Sequence, residues 1–288
     1  MLETLLETPP LLYAGVFLLG ALIGSFLNVV ILRLPPLLEH DWRCQCHDLL
    51  DVPGEAPVAP PGLAFDRSRC PHCGHTIRAH ENIPILSFIL LAGKCSACKA
   101  PISWRYPLVE LATACLFLAT IWHFGPTAQG LLGLLLTAVL VALTGIDADT
   151  QLLPDNITLP LLWAGLLANY FGVFTSLESS VLGAIIGYLI LWSIYHLFKL
   201  MTGKEGMGYG DFKLLAALGA WMGWQFLPLI VLMSSVVGAA VGIVLMGTGK
   251  LQRDKPMPFG PFIAAAGWIT LIWGEKLLDY YTQSSQFG

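Results

Sequence analysis

Eight apolar stretches dominate the sequence, and each is close to the length needed to cross the roughly 30 Å of hydrocarbon in a bilayer. Hydrophobic residues make up 56% of the 288 positions and charged residues only 12%, whereas about 25% is usual in soluble domains. The sequence therefore predicts an all-α integral membrane protein with about eight transmembrane helices in the lipid bilayer. The stretches are residues 11–32, 107–123, 128–146, 157–174, 180–198, 212–228, 229–247 and 259–275.

The distribution of lysine and arginine predicts the orientation of the chain, because basic residues are retained on the cytoplasmic side of membranes. If the N-terminus lies outside, fourteen of the fifteen basic residues fall in cytoplasmic segments, including Lys250, Arg253 and Lys255. Only Lys276 then lies outside, and the opposite orientation would invert this ratio. Both termini are therefore predicted to lie outside the cytoplasm.

The first apolar stretch is predicted to be a retained helix. It follows Glu3 and Glu7 rather than a basic segment, and no small-residue cleavage site follows it, so it does not resemble a signal peptide. The net charge of −4 is mild and gives no indication of a nucleic-acid partner.

The chain is predicted to have three parts. Residues 1–34 form a first transmembrane helix, residues 35–105 form a cysteine-rich cytoplasmic domain, and residues 106–288 form a seven-helix membrane domain. A segment of seventy residues with few apolar groups rarely builds a stable core without a metal or disulfides. The middle part is therefore expected to bind a metal or to contain disulfides.

Four cysteines in the middle part form two Cys-x2-Cys pairs separated by twenty-one residues: Cys70, Cys73, Cys95 and Cys98. Two such pairs are typical of a tetrahedral Zn²⁺ site, although this separation is one residue longer than usual. Two disulfides are the alternative, but disulfides rarely persist in the reducing cytoplasm. We predict a structural zinc ion, since four sulfurs leave no open coordination position.

Other potential ligands are assigned lesser roles. His72, His75 and His80 are candidate ligands, but the four cysteines already suffice for zinc. Cys44 and Cys46 are separated by one residue, which is poor spacing for sharing one ion, and the neighbouring His40, His47 and Asp48 are favoured as solvated polar residues. Cys115 lies within an apolar stretch and is predicted to pack there as a small residue.

Acidic residues near the apolar stretches are the main candidates for chemistry, because charges at membrane depth are costly and usually functional. Asp147, Asp149 and Asp155 cluster where the third stretch meets the cytoplasm, and Asp211 precedes the sixth stretch on the same side. Asp155 is predicted to be the N-cap of the next helix. Glu110 lies near the cytoplasmic start of the second stretch and is expected to reach the interface.

Three alternate glycines, Gly206, Gly208 and Gly210, precede Asp211. Glycine permits extended or left-handed backbone and lets another chain approach closely, so a peptide could bind there through main-chain hydrogen bonds. The alternative is a flexible hinge in which Asp211 is the N-cap of the following helix. Spacing alone favours the hinge.

Two aspartates at one site can share a proton, so that one activates water while the other protonates the carbonyl oxygen or the leaving amine. Asp211 opens a predicted helix and Asp147 closes one, and the two helix ends carry partial charges of opposite sign. We therefore hypothesise aspartic proteolysis with Asp211 as the base and Asp147 as the proton-bearing partner, titrating as a unit. Lys213 could bias the pair, but a cytoplasmic anchor is favoured for it.

Several motifs together resemble those of the type IV prepilin peptidases. They are GSFLNVVILRLP at 24–35, the CPHC and CSAC pairs, DADTQLLPD at 147–155 and GMGYGDFKLLAALGAW at 206–221. Gly20 and Gly24 in the first motif region are predicted to pack helices together. The segment 40–62 departs from the pattern, which leaves the role of Cys44 and Cys46 open.

The resemblance implies an eight-helix enzyme of the bacterial inner membrane that cleaves the leader of prepilins and pseudopilins after glycine at the cytoplasmic face. Its catalytic residues would be Asp147 and Asp211. It also implies N-methylation of the new N-terminal residue with S-adenosylmethionine, for which the sequence has no Rossmann-type motif. An ion-coupled transporter and a zinc-bound structural subunit are the alternatives from other functional classes, but transporters usually place such carboxylates near the bilayer midplane.

Overall fold

The computed structural model describes residues 9–50, 58–64, 66–249 and 257–286, without the side chains of 281–286. Glu3, Glu7, Lys250, Arg253 and Lys255, which entered the orientation prediction, lie outside these ranges. Regular structure in the described ranges is helical, with two isolated β-bridges. The helices are α1 (Pro9–Leu49), α2 (Leu86–Leu90), α3 (Arg105–Phe124), α4 (Ala128–Thr150), α5 (Asp155–Tyr170), α6 (Leu177–Thr202), α7 (Tyr209–Met222), α8 (Leu227–Gly247) and α9 (Gly260–Gln286).

The prediction of an all-α membrane protein is confirmed. A helix lies at each of the eight apolar stretches, and the described residues add the five-residue α2 and a short 3-10 helix at Ala79–Asn82. Among the described residues, five helical segments are long and apolar enough to cross a membrane: α1, α3, α4, α6 and Trp224–Gly247. The protein is thus a multi-pass helical membrane protein.

The first helix is longer than the sequence predicted, since α1 continues to Leu49 through Pro35 and Pro36. Proline usually interrupts a helix because it lacks the N–H group and its ring crowds the preceding turn. Here Leu34, Pro35 and Leu38 are buried, so packing of this face continues past the prolines. Residues 35–49 are therefore helical, although we had placed them in the cysteine-rich domain.

The chain divides into two compact units, Met1–Pro126 and Thr127–Gly288. In unit 1, α1 packs closely against α3. A Cβ atom on Gly20 would lie 2.7 Å from Cα of Ala114, and one on Gly24 would lie 2.7 Å from Cα of Glu110. The prediction that these two glycines pack helices is confirmed, and α3 belongs to the unit that also contains the cysteines.

In unit 2, α7 is the most buried helix, because nearly all its residues from Asp211 to Met222 are buried. It contacts α6 where the backbones of Gly183 and Gly219 meet, and this approach leaves no space for a Cβ atom at either position. On the α5 side, Trp221 Nε1 donates a hydrogen bond of 2.8 Å to the backbone oxygen of Leu161. The helix that begins beside Asp211 is therefore held on several sides by protein.

Helix α7, which lies at the sixth apolar stretch, ends earlier than the predicted boundary at residue 228. It stops at Met222, where Gly223 has φ 91°, a backbone conformation that residues with a Cβ atom rarely adopt. At 1.5 Å per residue, its fourteen residues span about 21 Å, which is shorter than a full membrane crossing. The backbone oxygens of Ala220 and Trp221 in its last turn have no partner within the helix, and both accept hydrogen bonds from Asn169 Nδ2.

Candidate active site and metal centre

Asp147 lies in the last turn of α4 and is 4% exposed. Its Oδ2 atom accepts a hydrogen bond of 2.9 Å from the backbone N–H of Gly260, the first residue of α9. A Cβ atom on Gly260 would lie 2.7 Å from the same oxygen, so only glycine fits without displacement. The start of α9 therefore fixes the position of the Asp147 carboxyl group.

Asp211 is the third residue of α7 and is 6% exposed. Its carboxyl group accepts a hydrogen bond from the backbone of Gly208, and it interacts electrostatically with Asp147. The two aspartates that the sequence singled out are thus buried near each other within unit 2, although sixty-four positions separate them. The dyad hypothesis requires such proximity, and the catalytic roles of the two residues stay a prediction.

Leu153 links the backbones around the two aspartates. A Cβ atom on Gly210 would lie 2.6 Å from Cβ of Leu153, and one on Gly260 would lie 3.2 Å from Cδ1 of the same side chain. The start of α7, the start of α9 and the segment after α4 therefore meet around one leucine. Sequence reasoning assigned no role to Leu153, because only the fold brings Gly260 close to it.

The helix ends near Asp147 and Asp211 no longer distinguish which aspartate is the base and which is the acid. Asp211 lies at the N-terminus of α7 as predicted, but Asp147 lies both at the end of α4 and at the N-terminus of α9. Helix N-termini carry a partial positive charge. Both carboxyl groups therefore face such an end, and the assignment of Asp211 as the base stays a prediction.

The glycine segment before α7 is only partly as predicted. Gly208 is extended (φ −83°, ψ 154°) and is itself the N-cap of α7, so the alternative that Asp211 caps this helix is wrong. Gly210 is already helical, and a Cβ atom on Gly206 would lie 2.9 Å from the ring of Phe198. Gly206 and Gly210 therefore let other parts of the fold pack closely against this segment, which is not the behaviour expected of a free hinge.

The other two aspartates that the sequence singled out do not share the burial of the pair. Asp155 is not the N-cap of α5, because Pro154 occupies that position and Asp155 is the first helical residue. Both carboxylate oxygens of Asp155 accept from Lys213 Nζ, at 2.6 and 2.7 Å. Lys213 thus pairs with Asp155, and Asp149 is exposed.

The four predicted cysteines form one cluster in unit 1. The sulfur atoms of Cys70, Cys73, Cys95 and Cys98 all lie within 4.8 Å of one another. The Cys70 and Cys98 sulfurs are 3.8 Å apart, which is about the edge of a tetrahedron of thiolates around zinc, given Zn–S bonds of about 2.3 Å. The cluster therefore has the donor set and the size of a four-cysteine zinc site.

The two cysteine pairs have the same local structure. Cys70 N–H donates to the backbone oxygen of His75, and Cys95 N–H donates to that of Ala100, each at 2.9 Å. Backbone N–H groups also face the sulfurs: those of Cys73 and then His72 hold the pKa of Cys70 at about 7. The N–H groups of Cys98 and Ala97 likewise lower the pKa of Cys95. Each turn thus stabilises the thiolate of its first cysteine, the form that binds metal, whereas burial and the neighbouring thiols raise the pKa of Cys73 to about 11.

The other potential ligands lie outside this cluster. His75 Nε2 lies 3.3 Å from both Glu81 Oε2 and Ser96 Oγ, so its ring contacts a carboxylate and a hydroxyl group. Cys44 lies on α1 with its sulfur 3.7 Å from His40 Nε2, one helical turn away.

Glu110 contradicts our expectation that it reaches the interface. It is 7% exposed, and its Oε2 accepts a hydrogen bond of 2.7 Å from the backbone N–H of Ile85. Sequence reasoning missed this burial because the partner is a main-chain group twenty-five residues away. An acidic residue inside an apolar stretch was the available signal.

An interacting pair of buried carboxyl groups in a helical membrane protein is the feature expected of a membrane aspartic peptidase. Residues 18–124 match the Bacterial Peptidase A24 N-terminal domain, and residues 134–243 match the Type IV leader peptidase family. The chain belongs to the prepilin leader peptidase/N-methyltransferase family, as its motifs predicted.

Three relatives illustrate this membership, and each is called a prepilin leader peptidase/N-methyltransferase. The relative in Stutzerimonas stutzeri is 55% identical over 98% of this chain and 97% of its own length. The relative in Pseudomonas aeruginosa is 53% identical over 100% and 99%, and that in Aeromonas hydrophila is 55% identical over 98% and 97%. No solved structure matches the chain.

Proposed function

We propose that this protein is a membrane aspartic endopeptidase that removes the leader peptide from type IV prepilins and pseudopilins, cleaving after glycine, and then methylates the new N-terminal residue. The observation that carries the peptidase proposal is the burial of two carboxyl groups, Asp147 and Asp211, at helix starts that meet around Leu153. The names of the relatives support this function over ion-coupled transport.

The proposed hydrolysis uses the two aspartates as a pair. One carboxylate takes a proton from water as the water oxygen attacks the scissile carbonyl carbon, while the other carboxyl group protonates the carbonyl oxygen. The tetrahedral intermediate then collapses, the C–N bond breaks, and the leaving amine receives a proton. The Gly260 N–H keeps Asp147 oriented throughout, which is the kind of preorganisation that makes such a pair effective.

For unit 1 we propose a structural zinc ion held by Cys70, Cys73, Cys95 and Cys98. The 3.8 Å separation of two of the sulfurs and the N–H groups facing Cys70 and Cys95 support this assignment. With four thiolates as ligands, zinc would stabilise the fold and leave no position for substrate.

The proposed location is the bacterial inner membrane, with both termini in the periplasm and the aspartate pair facing the cytoplasm. The excess of lysine and arginine in the segments assigned to the cytoplasm supports this orientation. Prepilin and pseudopilin precursors, whose leaders are basic, would then reach the pair from the side on which they are made.

The experiment that tests the proposal incubates the purified protein with a prepilin and S-adenosylmethionine, and determines the mass and first residue of the product. We expect a shortened chain that begins after the leader glycine and carries one added methyl group. Cleavage without added mass would support the peptidase and contradict the methyltransferase. An intact prepilin would contradict the peptidase.

Gly260 offers a test of how the carboxyl group is positioned. In Gly260→Ala the new Cβ atom would lie 2.7 Å from Asp147 Oδ2, so the carboxyl group or α9 must move. Because displacement by about 1 Å can cost about 100-fold in rate, we expect cleavage of the prepilin to slow by that order. Gly242→Ala is the control, since the new Cβ atom there would lie 3.6 Å from the nearest atom, in Met257. A wild-type cleavage rate for Gly260→Ala would contradict the role of Gly260.

A further inference from the structure

Unit 1 contains a cavity of about 410 Å³ for which the peptidase reaction has no use. Its walls come from α1, both cysteine turns, α2 and the start of α3. The volume lies within the range of small-molecule sites, roughly 300–1,000 Å³. A ligand of that size is therefore the first hypothesis for its role.

Two buried side chains give one end of the cavity a defined chemistry. The Asn28 amide is 2% exposed, and its Nδ2 donates to the backbone oxygens of Tyr106 and Gly24 at 3.1 and 3.3 Å. Because both neighbours are acceptors, the amide cannot be reversed, and Oδ1 is left without a partner. Buried acceptors are nearly always satisfied in native proteins, so this atom calls for a donor.

Glu110 is the second of these side chains. It is 7% exposed, lines the same cavity and is held by hydrogen bonds from Ile85 N–H and the Ser25 side chain. Ile85 has φ 61°, which is unusual for a β-branched residue and costs conformational energy. Such backbone conformations cluster at functional sites. The fold thus places a carboxyl group beside an unpartnered carbonyl oxygen.

The rest of the cavity wall suits a ligand that also has an aromatic part and an acidic part. Phe88 and Tyr106 supply aromatic surface, and Arg33 supplies a positive charge. The Arg33 guanidinium is positioned by the backbone oxygens of Gly62 and Asp66, at 2.6 and 2.8 Å. Acceptors at one end, aromatic rings and a cation match a zwitterionic nucleoside with a positively charged centre.

We propose that this cavity binds S-adenosylmethionine, with Glu110 and Asn28 receiving its positively charged end. The proposal rests on the methyl transfer in the proposed function and assigns it residues that the sequence did not identify. S-adenosylmethionine supplies a methyl group bound to positively charged sulfur. The residues of this chain bind and orient it: Glu110 offsets positive charge, Asn28 accepts a hydrogen bond and Arg33 offers a cation to its carboxylate.

The first test measures binding, not activity. The dissociation constant of S-adenosylmethionine is determined by calorimetry for the full-length zinc-loaded protein in detergent and for Glu110→Gln, with zinc content and melting temperature checked for each. We expect at least tenfold weaker binding for Glu110→Gln. Glu39→Gln is the matched control, because Glu39 is an exposed α1 residue paired with Arg43 and should leave the affinity unchanged.

A second measurement avoids dependence on a variant that fails to fold. An azidoadenosyl analogue of S-adenosylmethionine is photo-crosslinked to the wild-type protein, and labelled peptides are identified by mass spectrometry. Adducts within residues 25–33 or 68–110 are expected. Adducts only in Thr127–Gly288, or undiminished binding by a folded Glu110→Gln protein, would overturn the site.

Failure of the proposed methyl transfer can be distinguished from failure of the binding-site assignment. If the wild-type protein binds no S-adenosylmethionine, the proposed methyl transfer fails, and the site fails with it. If the wild-type protein binds it and methylates the product while Glu110→Gln binds equally well, only the site assignment fails. S-adenosylhomocysteine, which lacks the sulfonium charge, serves as a second probe. If Glu110→Gln weakens its binding less than that of S-adenosylmethionine, the sulfonium lies at Glu110. If the variant weakens the binding of both ligands equally, the amino group lies there.

Discussion

Asp147→Asn and Asp211→Asn are each expected to reduce prepilin cleavage by at least about 10²–10⁴-fold, the range that general acid–base groups contribute. An asparagine side chain keeps the size of the residue but can neither take nor deliver the proton that hydrolysis requires. Each variant should still hold zinc and retain the melting behaviour of the wild-type protein. The measurement is the rate of leader release from a purified prepilin.

Glu178→Gln provides the matched control for this prediction. Glu178 is an exposed carboxylate in the first turn of α6 and belongs to the same unit. Its replacement removes one negative charge without touching the buried pair, so cleavage should continue at the wild-type rate. Near wild-type cleavage by a folded Asp147→Asn or Asp211→Asn protein would contradict the proposed catalytic role.

Removal of zinc should have the largest effect on stability. Structural zinc contributes an apparent binding free energy of about 10–16 kcal/mol in zinc-finger peptides, and the segment between α1 and α3 has few other means of holding its shape. We expect Cys70→Ser, or treatment with a strong chelator, to reduce bound zinc and to make residues 66–104 sensitive to limited proteolysis. Metal analysis should find one zinc ion per wild-type chain.

Cys46→Ser distinguishes the four-cysteine site from a wider set of ligands. Cys46 is exposed on α1 and lies outside the cluster, so this variant should keep one zinc ion and resist the protease as the wild-type protein does. Loss of zinc from Cys46→Ser, or a Cys70→Ser protein that keeps its metal and its resistance, would contradict the assignment.

Features that depend on local pattern could be predicted from the sequence. Apolar length predicted a helix at each of the eight stretches, and two Cys-x2-Cys pairs predicted one four-cysteine cluster, because each pair fixes its own turn. Asp147 and Asp211 were singled out from the cost of charge at membrane depth and from the family motifs, and their catalytic role stays a prediction. In each case the residues involved carry the signal themselves.

Features that depend on distant backbone contacts could not be predicted. The N–H group on Asp147 comes from Gly260, which is 113 positions away, and no pattern near either residue indicates it. The burial of Glu110 depends on the backbone of Ile85, and the early end of α7 depends on the conformation of Gly223. Backbone groups carry no sequence signature, so only the fold reveals these partners.

The most direct test of the central claim compares single-turnover cleavage rates of Asp147→Asn, Asp211→Asn and the double variant. Two carboxyl groups that act on one proton form a unit, and effects within such a unit are far from additive. We predict that the double variant cleaves about as slowly as either single variant. Losses that multiply in the double variant would show two independent contributions and contradict a shared site.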